Sequence, residues 1–354
     1  RKYNMAYSAI DKSSSFMSAN IHTGTGSSQA ITGVGHQPDL CWFKKRDGTT
    51  EHQLYDSVRT ATKVISSQST DTEWTESTGL TAFDSDGYTL GGASGTNGSS
   101  NTYANWSWKA GTTGSGTTTG SGTGKSYSYS VNTTSGFSII KYVGNGTTGH
   151  TIPHHLGAVP QVVLVKCLDQ TYNWLMYHKR VGNTRAMYLN TTSAEVDSDS
   201  FWNDTTPSST VFTLGSDNAT NQNDQNYIAY VWTEKVGYSK VGYYDGNAGT
   251  GVNVNNFQYC GFKPTWVLMK CTSHAEGWNL IDAKRVGYNH FNWSLYPQST
   301  GAEGNDGANG VQIYSNGFNP TYGTGHINRS GKSYIWIAFG QPLTGSNNVP
   351  CTGR

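Results

Sequence analysis

Apolar and polar positions along this chain fall into register behind three prolines, Pro38, Pro160 and Pro264, each standing three residues after a glycine: Gly35, Gly157 and Gly261. Six residues past each proline is a lysine, Lys44, Lys166 or Lys270. His52, Trp174 and Trp278 stand fourteen past, Leu54, Met176 and Leu280 sixteen past, and Asp56, His178 and Asp282 eighteen past. Alternation with a period of two predicts half-buried strands. On that reading the lysine and the aspartate form a cross-strand ion pair on the solvated face, not an acid/base pair, since the middle copy has His178.

Each copy ends with an aromatic residue five positions after a tyrosine: Tyr103 to Trp108, Tyr227 to Trp232, Tyr334 to Phe339. These runs are rich in aromatic and β-branched residues and predict closing strands. Each copy opens with a glycine-rich turn, Gly24-Thr-Gly26, Gly144-Asn-Gly146 or Gly246-Asn-Ala-Gly249, expected to be a hairpin between the first two strands. The predicted fold is all-β, three tandem β-sandwich units of about a hundred residues. The expected boundaries are an N-terminal segment 1–17, units at 18–115, 128–236 and 237–342, a Gly/Ser/Thr linker at 116–127 and a tail at 343–354. A second architecture packs the three units round a pseudo-threefold axis as one body.

Composition narrows the function. The chain has 354 residues, 43 of them glycine, with only 13% charged and 12% aromatic, which suits short strands joined by turns. A net charge of +1, with basic residues scattered singly, gives no field to gather nucleic acid. No apolar run reaches the roughly 20 residues that span a bilayer, so no membrane insertion is expected, and the N-terminus shows no signal-peptide pattern. Cys41, Cys167, Cys260, Cys271 and Cys351 lack metal or redox spacing and read as buried free thiols. The Asn-x-Ser/Thr sequons, Asn97, Asn132, Asn145 and Asn190 among them, follow from composition.

Candidate chemistry is sparse. His150, His154 and His155 cluster ahead of the second Gly-x-x-Pro and are the one metal candidate, with surface histidines as the default. The acidic loops at 84–87 and 197–204 lack calcium-loop spacing and read as turns. No nucleophile elbow, zinc-protease, phosphate-loop or dinucleotide motif occurs, so no catalytic residue, no cofactor and no enzyme is expected. The better lead is a set of aromatics outside the clean strands: Trp74, Tyr88, Trp202, Trp293 and Tyr322, amid Gly, Ser, Asn and Asp. Flat rings beside amides and carboxylates suit sugar rings, and equally suit contacts between subunits.

The opening run from Met5 to Ser67, the phrases at 79–91 and 101–111, and the ending Asn347 to Arg354 resemble a family of virion-associated proteins of tailed phages, especially marine ones, labelled tail-fibre or structural proteins. The likeness spans Met5 to Arg354. It implies lectin-like, jelly-roll or LamG-like sandwich units in an extracellular phage particle made in the bacterial cytoplasm. It also implies partners: other copies of the chain as a homotrimer, other virion proteins, and host cell-surface glycan or protein for a receptor-binding fibre. A capsid decoration protein or a fibre or tube subunit with no ligand of its own is the alternative. No site residues come with the resemblance.

Overall fold

Each Gly-x-x-Pro turn holds its glycine at positive φ, 95° at Gly35, 67° at Gly157 and 80° at Gly261, a conformation that glycine adopts without a Cβ clash. The chain then enters a strand: Leu40–Lys45, Val162–Cys167 or Phe262–Cys271. The computed structural model describes residues 8–247, 256–305, 310–321 and 326–343. In it, each of these strands lies between a closing strand and a shorter one that carries the eighteenth position. The closing strands are Thr102–Trp108, Asn226–Trp232 and Ser333–Pro342; the shorter ones are Gln53–Asp56, Leu175–His178 and Trp278–Asp282. Each closing strand also pairs with an opening strand, Met17–Thr23, Phe137–Val143 or Ser239–Asp245. All named pairings are antiparallel and the fold is all-β, as the alternation and composition predict.

A three-stranded sheet backs each main sheet and makes it a sandwich with its own apolar interior, around Phe43 and Tyr88 in unit one, Val163 and Trp202 in unit two, and Val267 and Phe318 in unit three. The other face of all three main sheets packs into one shared cluster that includes Trp42, Trp106, Leu164, Trp174, Trp266 and Phe339. Trp108 meets Trp232, Trp266 and Phe339 edge to face, with centroids 5.5–6.1 Å apart. A wholly apolar cavity of about 20 Å³ remains among these rings, room for no more than a single water and without polar groups to hold one. The units are therefore one body around a common core, not beads in series. This also corrects the half-buried expectation: Gln53–Asp56, Leu175–His178 and Trp278–Asp282 are buried at every position, because the second sheet covers one face and the shared core the other.

The register positions close the ring. The three lysines are fully buried, and each Nζ donates to the next residue's carbonyl, at 2.8 Å for Lys44, 2.7 Å for Lys166 and 2.6 Å for Lys270. Each also reaches a neighbouring unit: Lys44 to Thr300 O at 3.2 Å, Lys166 to Thr70 O at 3.1 Å, Lys270 to Thr192 O at 3.4 Å. The expected solvated ion pair is absent; an ammonium with three N–H donors suits a cluster of buried carbonyls. Burial pushes each lysine down to about 8. The fourteenth position follows the same sense. The Trp174 indole donates to Ser66 O at 2.8 Å, the Trp278 indole donates to Tyr188 O at 2.9 Å, and His52 lies beside the Tyr296 backbone.

Two other expectations change. The opening glycine turns of units one and two join no hairpin; each carries the chain from the main sheet to the backing sheet, as between Met17–Thr23 and Gln29–Thr32, and the turn expected at 246–249 lies in part outside the described residues. A Cβ on Gly24, Gly144 or Gly246 would lie 2.0–2.4 Å from the carbonyl oxygen of Gly98, Gln222 or Arg329, so the corner admits only glycine. The stretch expected as linker 116–127 is folded. Thr112–Thr117 pairs with Ser126–Asn132 and extends the main sheet of unit two to eight strands, while Thr119–Gly120 joins its backing sheet. Thr113, Ser115 and Thr117 alternate with glycines along Thr112–Thr117 and suit its period of two although the composition resembles a linker.

Candidate functional site

The aromatic leads separate on folding. Tyr88 is fully buried and meets Phe43 edge to face at 5.2 Å. Trp202 is buried, packs on Tyr177 at 6.1 Å, and donates its indole N–H to Arg185 O at 3.1 Å. Both belong to sandwich interiors, which corrects their reading as ligand-facing rings. Trp74 is half-buried against the interior of unit one. Trp293 is 39% exposed on a two-residue strand, and Tyr322 lies outside the described residues.

The histidines separate too. His150 and His154 are fully buried, not on the surface. The His150 ring bonds Asn221 Oδ1 at 2.9 Å and Thr118 Oγ1 at 2.6 Å, and His154 Nε2 meets Ser208 O at 3.2 Å. His155 stacks on Tyr129 with centroids 3.7 Å apart. Burial lowers all three, His154 to about 4. Among the described residues no three His, Cys, Asp or Glu side chains converge as metal ligands would. Cys41, Cys167, Cys260 and Cys271 are buried free thiols, and Cys351 lies outside the described residues.

The copies differ most between the twentieth position and the closing tyrosine. Units one and three form hairpins there, Leu80–Asp84 with Gly87–Leu90 and Val311–Tyr314 with Gly317–Pro320. Unit two instead forms two single helical turns, Asp199–Trp202 and Asn218–Asn221. Beside these turns opens a cleft of about 510 Å³ lined by the Tyr172 and Tyr188 rings, the Asn173 and Asn218 amides, the Ser200 hydroxyl and Asp217. A Cβ on Gly215 would lie 2.2 Å from Ser200 O; glycine there lets the chain pass against the first turn.

The cleft walls are held in place. Tyr172 donates its hydroxyl to Gln222 Oε1 at 3.1 Å, and Asn173 Oδ1 accepts from Asn190 at 2.8 Å. The Tyr188 ring meets Phe201 edge-on at 6.4 Å, while its backbone carbonyl takes the Trp278 indole from unit three. Asp217 Oδ1 caps the second turn by accepting from the Ala219 N–H at 2.7 Å. Burial raises the Asp217 carboxyl, opposed by that N–H, and Tyr188 is raised by burial and then by Asp217. Aromatic faces beside fixed amide, hydroxyl and carboxylate groups make a surface with the chemistry of sugar recognition.

Two features were readable in the chain and missed. An asparagine stands six residues before each closing tyrosine, Asn97, Asn221 and Asn328, all fully buried. Each accepts with Oδ1 from an N–H of the opening corner, at Thr25, Asn145 and Asn247. Each also donates with Nδ2, to Gly91 O, Gly215 O and Pro320 O. The sequon at Asn97 is thus structural. An arginine stands three residues past the aspartate in units one and three, Arg59 and Arg285, and it is the true partner, with Nε–Oδ2 at 2.5 Å in both. In unit two that position is Val181.

The model of the family described as Domain of unknown function (DUF7483) matches residues 12–342. No curated protein and no solved structure matches.

Proposed function

The chain belongs to the family of Domain of unknown function (DUF7483), and we propose that it is a non-enzymatic virion protein of the tail-fibre or receptor-binding kind that holds host-surface glycan in the cleft of its second unit. The observation that carries this reading is the cleft's position: most of its lining, Tyr188, Ser200 and residues 216–219, comes from the stretch where unit two departs from its neighbours, with Tyr172, Asn173 and Leu175 completing the wall. The resemblance to tailed-phage proteins supports the particle. Asp217 is the single carboxylate lining the cleft, whereas glycoside hydrolysis uses a pair. A neutral oligosaccharide is the ligand class, with rings stacking on Tyr172 or Tyr188 and hydroxyls meeting the amides. A glycan array probed with the full chain tests this. Asn218→Ala should lower binding about tenfold or more with unchanged thermal unfolding, and Tyr188→Ala should lower it as far while also losing its packing on Phe201. Absence of any neutral glycan ligand overturns the reading.

A second reading, a purely structural virion or filament subunit, is favoured by one observation. Thr112–Thr117 ends the eight-stranded sheet as an exposed edge without charge or proline, the kind of strand that pairs with another chain. A homotrimer or longer assembly would cover it. Sedimentation of the wild type against Ser115→Pro distinguishes this reading: a monomer in both excludes pairing through this edge.

A further inference from the structure

Between units two and three lies a second concavity, of about 460 Å³, whose chemistry differs from that of the cleft. Its cations are Lys179 and Arg180 from unit two and Lys240 from unit three, against one carboxylate, Glu234. Glu234 Oε1 is engaged by the Val241 N–H at 2.8 Å. The Arg180 guanidinium lies 3.8 Å over the Tyr243 ring and has no ion pair among the described residues. Lys240 Nζ lies 4.9 Å from the Tyr259 ring and donates to Tyr259 O at 2.8 Å. Both tyrosines are large exposed apolar faces, Tyr243 at 51% and Tyr259 at 57%.

One wall of this groove carries an unspent donor. Trp336 is 3% exposed and its indole N–H has no hydrogen-bond partner. Opposite it across the strand pair stands Gly242, also in the wall, where a Cβ would come within 2.7 Å of that nitrogen. Trp108, Trp232 and Trp266 carry the same unpartnered N–H in or against the closed shared core, whereas Trp336 stands in the wall of a groove whose ligand can supply an acceptor. A guanidinium stacked by one face on tyrosine keeps its edge N–H groups for a planar carboxylate.

We propose that this groove is a second, independent binding site that takes a carboxylate-bearing saccharide, its uronic-acid type carboxylate on Arg180 and Lys179 and its ring faces on Tyr243 and Tyr259. Position on the seam makes the site dependent on both units. It is distinct from the neutral-sugar cleft and does not rest on it.

Calorimetric titration of the full chain with a galacturonic acid tetramer, alongside the uncharged galactose tetramer, tests the assignment. The acidic tetramer should bind saturably and the neutral one at least about tenfold more weakly, with the difference shrinking as salt screens the charges. Arg180→Gln and Tyr243→Ala, both at exposed positions, should each reduce acidic-tetramer binding about tenfold with unchanged melting, whereas Tyr188→Ala should leave it intact. Equal affinity for the two tetramers, no binding of the acidic one, or binding unmoved by Arg180→Gln overturns the proposal. So does displacement by inorganic phosphate at concentrations where equal ionic strength of chloride does nothing, which would reassign the groove to phosphate.

Discussion

At the seam between units one and two, the Tyr230 hydroxyl donates to Asp56 at 2.8 Å, and Arg59 pairs with the same carboxylate at 2.5 Å while approaching the tyrosine oxygen at 3.4 Å. The seam between units three and one repeats this with Trp106, Asp282 and Arg285: the indole donates to the carboxylate at 2.9 Å and the guanidinium pairs with it at 2.5 Å. Between units two and three the same positions hold Ile337, His178 and Val181. There the acid, the base and the side-chain donor are all gone. What remains is the His178 imidazole, with Nε2 3.4 Å from Trp336 O and Nδ1 accepting the Arg180 N–H at 3.2 Å. The comparison teaches that a buried polar lock is kept or replaced as a set. Taking one member away strands a charge, while taking all of them leaves an ordinary interior. It is at the unlocked seam that the cationic groove opens.

The largest effect should come from stranding a charge. Arg59→Ala leaves Asp56 buried with only Tyr230 and backbone donors, and should cost about 3–5 kcal/mol by urea denaturation. Arg285→Ala should cost a similar amount, since it leaves Asp282 buried with only Trp106 and backbone donors, while Glu303 keeps Arg46. Val181→Ala at the matching position of the unlocked seam removes only half-buried methyl groups and should cost about 1 kcal/mol. Equal losses at all three positions would erase the distinction between the seams.

Part of this design is legible in the chain before folding. The register behind Pro38, Pro160 and Pro264 marks the strands, and its coupled change from Asp and Arg to His and Val in unit two is visible in the letters. Alternation by itself points to one wet face, and so to Lys44 as the partner of Asp56. On the inner strands of the main sheets there is none, and Lys44 turns to carbonyls instead. The Gly/Ser/Thr run at 116–127 misleads for a related reason, since neighbouring strands and not composition decide that it pairs. The cleft was beyond reach. Tyr172, Tyr188 and Asp217 are scattered along unit two and meet only through the two helical turns, and short loops carry no periodic signal.

Acid should separate the seams next. Burial pushes His178 down to about 4, whereas the unfolded chain takes up this proton near the ordinary histidine value of about 6.5. Its contribution is thus intact above pH 6.5 and is lost as pH falls towards 4, on the order of 3 kcal/mol in all. At Asp282 burial raises the carboxyl, but the Arg285 guanidinium and the bonds it makes more than offset this and hold it below its ordinary value. The Asp282–Arg285 pair keeps its contribution through the same window and loses it only in stronger acid, although burial also pushes down His52 at that seam. His36 and His154 are also pushed to about 4, so the test is the difference between wild type and His178→Gln. The variant should show a shallower fall in stability from pH 6.5 to 4, and superimposable curves would remove His178 as the titrating group.

The smallest effect is the most informative, because it asks whether the two kinds of seam are interchangeable. Importing the unit-two solution into the first seam requires Asp56→His, Arg59→Val and Tyr230→Ile together. Each change alone leaves an unmatched group: Tyr230→Ile removes a donor to Asp56, and Asp56→His leaves the Arg59 guanidinium buried beside a neutral ring. Made together, they exchange a desolvated ion pair and its donor for apolar surface, an exchange that is often near neutral. Glu73, which also meets Arg59 at 3.2 Å, is 18% exposed at its side chain and can turn to water. The triple variant should therefore lie within about 1–2 kcal/mol of wild type, far above the Arg59→Ala variant alone. A loss as large as that of the single variant would mean that the charges at this seam contribute more than their own solvation costs, and that unit two tolerates their absence through packing the first seam lacks.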